Sequence, residues 1–257
     1  MDQTKKRHYL IRALLDENPA YSDVEIPDSE YEQKRLLRGL FNVRAPGKIS
    51  DEFLKIQDDY LQEETALKGI TSLSDLTPIQ EGTYLWQGDI TTLKCDAIVN
   101  AANSGMTGCY YPCHGCIDNA IHTYAGIRLR NACADIINRQ GHEEPTGCAK
   151  ITPAFNLPCN YVLHTVGPVI TGILTKEDER MLASCYRSCL ELADKNNLRS
   201  IAFCCISTGE FRFPNEEAAQ IAVNTVEEYR ETNNSRIEVI FNVWKDIDYR
   251  IYKGLLG

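Results

Sequence analysis

Short apolar segments alternate with helical segments over roughly the last two thirds of the chain. The apolar segments cover residues 84–87, 97–100, 161–166, 200–206 and 237–244. Most of them are continuous runs, which are typical of strands covered on both faces. Residues 178–196 and 216–232 instead repeat their apolar side chains at helical spacing. Alternating strands and helices predict an α/β sandwich with a mainly parallel sheet.

The first part of the chain has a different pattern. Its apolar residues recur at helical spacing among clusters of charged residues, as at Leu36, Leu37 and Leu40, and it contains no cysteine. This pattern predicts a small helical region over residues 1–75 that packs on a main domain over residues 76–257.

Composition narrows the classes of partner and compartment. The 257 residues carry a net charge of −9, which argues against binding to nucleic acid or to an anionic membrane, since both need a surface rich in Lys and Arg. No apolar run is long enough to span a membrane, and residues 1–12 lack the apolar segment of a signal peptide. We therefore expect a cytoplasmic protein, in which the 11 cysteines are thiols or metal ligands rather than disulfides.

Ligands of such sheets bind beyond the carboxyl ends of the strands, so the loops after the strands hold the candidate chemistry. The loop after 97–100 contains Cys109, Cys113, His114 and Cys116 within eight residues, and thiolate and imidazole are the preferred ligands of zinc. Adjacent side chains diverge, so we favour Cys109, His114 and Cys116 as the ligands of one zinc ion, with a fourth position open as in catalytic sites. Participation of Cys113 would close the site and make it structural.

Polar residues flank this cluster on both sides. Asn100 and Asn103 carry amides that can bind ribose hydroxyls or stabilise turns. Asp118 follows at the expected start of a helix, where it can complement the helix dipole or hold a water or a ribose hydroxyl beside the metal. His122, one turn later, is interpreted as a packed helix residue.

The loop after 200–206 begins with a Ser-Thr-Gly turn and leads into a helix near Pro214. Successive backbone N–H groups in such a turn can bind a phosphate, and Phe211 can stack on a sugar or a base. For such a turn taken alone, a tight strand-to-helix connection is the more common explanation.

Five segments in order, 87–91, 99–104, 117–122, 164–168 and 206–209, resemble the macrodomain family over roughly residues 82–257. The resemblance implies a three-layer α/β/α sandwich, with a mixed, mainly parallel sheet, that binds ADP-ribose. It implies that Asp89, with Ile90 beside it, binds the adenine amino group and that Asn103 binds the distal ribose. Asp118 matches the acidic residue near the scissile bond. The residues that match the loop around the phosphates and the distal ribose are Ser207, Thr208, Gly209, Glu210 and Phe211.

The sequence departs from the family where hydrolytic macrodomains carry a run of glycines that binds the diphosphate. The cysteines and histidine between Cys109 and Cys116 stand there instead, and with the helical extension this resembles the zinc-containing branch. That branch implies a zinc-dependent hydrolase that removes mono-ADP-ribose from protein side chains, with Asn103 and Asp118 as catalytic residues and Asp or Glu as the expected linkage. Its implied partners are a lipoyl-carrier protein and the sirtuin-type transferase that modifies it.

Two alternatives stay open from the sequence. The first is an ADP-ribose-binding module in which Cys113 completes a structural zinc site. The second is a hydrolase of O-acetyl-ADP-ribose that uses the same pocket. We expect a monomer, because the sequence has no heptad repeat and no long apolar edge.

Overall fold

A computed structural model describes residues 1–257. The chain begins with three helices, each capped by an oxygen-bearing side chain, Asp2, Ser29 or Ser50, that accepts a hydrogen bond from a first-turn N–H. These are α1 (Gln3–Asp16), α2 (Glu30–Val43) and α3 (Asp51–Lys68). The predicted N-terminal helical extension is confirmed.

The rest of the chain forms a six-stranded sheet flanked by helices, together with two short strands that pair separately. The strands are β1 (Thr71–Ser72), β2 (Thr83–Gln87), β3 (Leu93–Lys94), β4 (Ala97–Ala102), β5 (Ala149–Pro153), β6 (Tyr161–Val166), β7 (Ser200–Phe203) and β8 (Glu238–Val243). The helices are α4 (Ile117–Ala125), α5 (Ile127–Gln140), α6 (Lys176–Lys195), α7 (Asn215–Asn233) and α8 (Asp246–Leu256).

The sheet order is β2-β8-β7-β4-β6-β5, and every pair is parallel except β5 with β6. A separate parallel pair joins β1 and β3. Helices α6, α7 and α8 pack in series, whereas α4 and α5 pack together and α2 contacts α4. The predicted sandwich with a mixed, mainly parallel sheet is confirmed.

Strand boundaries differ from the predictions where burial continues beyond the strand. We predicted a strand over 200–206, but β7 ends at Phe203 although Cys204 and Ile206 are buried. The chain turns there into a loop that packs inward, and a run of apolar residues looks the same in both cases. The pattern also missed β5, the antiparallel edge strand, because most of its residues are only half-buried.

Two apolar clusters form the interior. One contains 43 buried residues around the sheet, and the other contains 11, ten from the three N-terminal helices and Ile127 from α5. Ile127 thus ties the extension to the sheet region. None of the helices is long and apolar enough to cross a membrane.

Candidate active site

The carboxyl ends of β4, β6 and β7 lie side by side. Residues of β4 and β6 form a chain of hydrogen bonds that leads to Asp118 in α4. The fully buried Asn100 donates through Nδ2 to Asp118 Oδ1 (2.8 Å) and to His164 Nδ1 (3.2 Å). Because His164 Nδ1 accepts, its proton resides on Nε2, which faces Thr152 Oγ1 at 2.9 Å. The sheet thereby fixes one oxygen of Asp118.

Asn103 holds the other oxygen of Asp118. Its Nδ2 donates to Asp118 Oδ2 (3.3 Å) and to the Gly108 carbonyl (3.1 Å). Asp118 is buried, and burial raises its pKa to about 6 although the two asparagines and the charge of Arg130 oppose the shift. His122 Nε2 lies 3.5 Å from Asp118 Oδ1. His122 is a buried residue of α4, as interpreted from the sequence.

The 109–116 loop gathers the three predicted metal ligands. The donor atoms of Cys109, His114 and Cys116 all lie within 4.8 Å of one another, and Cys109 Sγ is 3.6 Å from His114 Nδ1. Ligands of a tetrahedral zinc ion, at about 2.0–2.3 Å from the metal, stand roughly 3.3–3.8 Å apart, so the residues fit such an ion. Cys113 stays outside this set, because its thiol donates to the Arg35 carbonyl (3.2 Å).

The loop after β7 approaches the cluster through Glu210. Its exposed carboxylate lies 3.5 Å from His114 Nε2, the ring nitrogen that faces away from Cys109. A carboxylate at this position is the usual partner of a metal-binding imidazole, because it fixes the orientation and the tautomer of the ring. The contact between Glu210 and His114 also brings the two candidate loops together.

The turn at Ser207 contains a buried hydroxyl group that has no hydrogen-bond partner. Ser207 has a φ of 64°, and its buried Oγ has no hydrogen-bond partner within the chain. A Cβ added at Gly167 would stand 2.0 Å from that oxygen, so only glycine permits this approach. Thr208 Oγ1 donates back to the Cys205 carbonyl (3.0 Å), and the Phe211 carbonyl accepts from Ile170 N (2.8 Å). Gly209 and Glu210 form the exposed tip of this turn.

Asp89 follows β2 and caps a short helical turn over Ile90–Thr92. Its Oδ1 accepts from Thr91 N (3.0 Å), and its Oδ2 accepts from Lys68 Nζ (2.9 Å). Burial opposes the ionisation of Asp89, but hydrogen bonds from Lys68 and Thr91 outweigh it and hold its pKa below the usual range. The Ile90 side chain is buried in the core cluster. Lys68 is the last residue of α3, so the extension reaches the predicted adenine end of the pocket.

Sequence reasoning missed the contribution of α2 to the site. Arg38 and Asn42 reach across to the 109–116 loop and to α4. Asn42 is buried, next to the apolar Leu40 and Phe41. A polar residue beside such a stripe is the only signal of this contact in the sequence, and it does not reveal the partner.

The chain is similar to proteins of a known family. The Macro domain family model matches residues 99–222. A protein-ADP-ribose hydrolase of Treponema medium is 60% identical over the full length of both chains, and one of Staphylococcus aureus (strain MSSA476) is 49% identical over 95% of this chain and 92% of its own. The solved structure of the Trypanosoma brucei macrodomain in complex with ADP-ribose superposes with a TM-score of 0.66, at 30% identity over 90% of this chain and 97% of its own.

Proposed function

The chain belongs to the macrodomain family, and from that premise we propose that it hydrolyses the bond between ADP-ribose and a modified protein with the help of one zinc ion. The observation that carries the proposal is the placement of Asp118, held on both oxygens, two residues from a three-ligand Cys/His cluster. Relatives of nearly equal length named protein-ADP-ribose hydrolases support the reaction class.

The proposed ADP-ribose pocket runs from Asp89 to the 109–116 loop. Asp89 and Ile90 would bind the adenine, with the Asp89 carboxylate accepting from its amino group. Ser207, Thr208, Gly209, Glu210 and Phe211 would surround the phosphates and the distal ribose. The buried, unpartnered Ser207 hydroxyl supports this placement, because a buried hydroxyl without a hydrogen bond is costly unless a ligand supplies the partner.

In the proposed metal site, Cys109, His114 and Cys116 would hold the zinc ion. The engagement of the Cys113 thiol with α2 supports three protein ligands rather than four, which favours an enzyme over a binding module with a structural zinc. When bound, the ion would supply a Lewis acid that polarises an oxygen of the substrate.

The residues of the chain would then position the reactants. Asn103 would orient the distal ribose, and the Asp118 carboxylate would accept a hydrogen bond from the attacking water and take its proton. The water oxygen bonds to C1″ of the ribose while the bond from C1″ to the side-chain oxygen breaks. The Asp or Glu of the target protein leaves as a carboxylate, and free ADP-ribose is the other product.

The test follows release of free ADP-ribose from a mono-ADP-ribosylated protein with an Asp/Glu linkage, and the resemblance makes a lipoyl-carrier protein the first substrate to try. We expect a chelator and Cys116→Ala each to abolish release, because both remove the metal. Cys148→Ala is the matched control, since Cys148 is exposed and lies outside the cluster.

Full turnover by metal-free protein would exclude the role of zinc. Faster hydrolysis of O-acetyl-ADP-ribose than of the modified protein would instead assign the same pocket to the small ester.

A further inference from the structure

One face of α2 lies against the 109–116 loop. The residues Arg35, Arg38, Gly39 and Asn42 recur at the spacing of a single helical face. A Cβ added at Gly39 would stand 3.7 Å from Pro112 Cβ and 3.9 Å from Cys113 Sγ, so the helix backbone approaches the loop closely.

This face binds the backbone of the loop directly. Arg38 Nη2 donates to the His114 carbonyl at 2.9 Å. Asn42 Oδ1 accepts from Cys113 N at 2.9 Å. The Arg35 carbonyl accepts from the Cys113 thiol. The two contacts with Cys113 and the one with His114 thus fix the part of the loop that directs the His114 side chain.

Arg38 also acts through the buried Asn119. Its Nε and Nη2 donate to Asn119 Oδ1 at 3.1 and 2.7 Å, and Asn119 Nδ2 donates to the Tyr111 carbonyl at 3.0 Å. Asn119 N in turn donates to Cys116 Sγ at 3.4 Å. A single guanidinium therefore connects α2 with backbone near His114 and with the residue that contacts the Cys116 sulfur.

Cys113 shows why the loop needs such support. Its φ of 55° lies in the left-handed region, which strains a non-glycine residue unless the surroundings hold it. The bond to Asn42 and the thiol contact with Arg35 hold that conformation. With the backbone in this conformation, the Cys113 sulfur lies against α2, while the side chain of the next residue, His114, lies beside Cys109.

We propose that α2 of the N-terminal extension is a clamp that preorganises the 109–116 loop for its metal, with Arg38 and Asn42 as positioning residues. The inference rests on the proposed zinc site. Partners that orient metal ligands typically contribute 10- to 100-fold to metal affinity, so we expect a loss of about that size when the clamp is removed.

The test is competition for Zn²⁺ between the full-length protein and a chromophoric chelator. We expect Arg38→Ala to weaken zinc affinity by about 10- to 100-fold, and Arg38→Lys to restore little of it, because an ammonium lacks the fork that donates to two partners. Arg12→Ala is the matched control, because Arg12 is an exposed residue of α1 and is not part of the α2 face that contacts the loop.

Circular dichroism and thermal unfolding of the zinc-free proteins check that the variants are folded. If Arg38→Ala does not fold, the zinc affinity of Arg38→Lys, compared with that of the wild type, tests the clamp instead. A folded Arg38 variant that binds zinc as tightly as the wild type overturns the clamp. A wild-type chain that binds no zinc overturns the proposed metal site instead, so the two failures are distinguishable.

Discussion

At the scale of single residues, the site depends on buried polar groups. Asn100 and His164 are fully buried and form a chain of hydrogen bonds to Asp118. Ser207 is buried without any partner for its hydroxyl. A buried polar group is costly unless it has a hydrogen-bond partner, so the Ser207 hydroxyl marks a place where ligand binding, rather than stability, accounts for the residue.

Gly167 offers a direct test of the Ser207 hydroxyl. Gly167→Ala would place a methyl group 2.0 Å from Ser207 Oγ and 3.0 Å from Ile206 Cγ2, so the turn must shift. We expect weaker ADP-ribose binding in calorimetry, and a loss of about 1 kcal/mol in unfolding free energy, at the low end of the usual cost of overpacking. Gly172→Ala is the matched control because nothing lies within 4 Å of its added Cβ. Unchanged affinity in Gly167→Ala would remove Ser207 from the pocket.

Because His164 is buried, we expect the free energy of unfolding to depend on pH. Burial lowers its pKa to about 3, whereas an unfolded histidine titrates near 6.5. Between these values the unfolded chain binds more protons, so the unfolding free energy falls as the pH is lowered, by up to about 1.4 kcal/mol per pH unit. Asp118 has a raised pKa and opposes this trend below about pH 6.

The measurement compares urea unfolding of the wild type and His164→Gln at pH 7, 6 and 5. Asp118 is present in both proteins, so the difference in slope isolates the histidine. Below pH 6.5 we expect the unfolding free energy of the variant to fall less steeply with decreasing pH than that of the wild type. The difference in slope should reach at most about 1.4 kcal/mol per pH unit, the value for one proton. Parallel profiles would mean that folding does not lower the pKa of His164.

At the scale of elements, helix α4 begins on one of the proposed metal ligands. Cys116 is its N-cap, and the sulfur accepts a hydrogen bond from Asn119 N. The same side chain therefore both starts a helix and closes the Cys/His cluster. This arrangement links the position of Asp118, in the first turn of α4, to the position of the cluster.

The two roles of Cys116 can be separated by substitution. Serine is a good N-cap, so we expect Cys116→Ser to retain the stability of the zinc-free protein, whereas Cys116→Ala loses about 0.5–2 kcal/mol. Both variants should lose zinc binding, because neither supplies the thiolate. Urea unfolding in the presence of a chelator measures the stability of the zinc-free proteins. Metal analysis in the absence of the chelator measures zinc binding. A zinc-free Cys116→Ser protein as unstable as Cys116→Ala would contradict the capping role.

The elements also show what the sequence could and could not predict. Continuous apolar runs located β4, β6 and β8, and a helix start signal located α7 next to Pro214. The apolar run over residues 200–206 could not show that the chain leaves the sheet after Phe203, since burial persists in the loop. The Cys/His spacing predicted three side chains that the fold does bring together. It could not reveal Arg38, because a contact across 76 residues leaves no local pattern.

At the scale of the whole molecule, the extension and the sheet region share buried polar contacts. Arg130 of α5 donates through Nη1 to the Asn42 carbonyl (2.6 Å) and the Arg44 carbonyl (2.6 Å). Gln57 Oε1 accepts from Ile127 N (3.0 Å), also in a buried position. Separating the two parts would break these bonds and expose the apolar cluster that Ile127 shares with α1–α3, so the extension is coupled to the main fold.

We therefore expect the 257 residues to unfold as one cooperative unit. Both tryptophans lie in the sheet region, so their fluorescence reports that part alone, whereas circular dichroism at 222 nm also reports α1–α3. The two urea transitions should coincide, as in two-state unfolding. Arg130→Ala should separate them by releasing α2 first, with Arg139→Ala on the same helix as the control, since Arg139 bonds only within α5. An earlier dichroism transition in the wild type would show that the extension unfolds independently, and the clamp on the 109–116 loop would then be open under conditions in which the sheet remains folded.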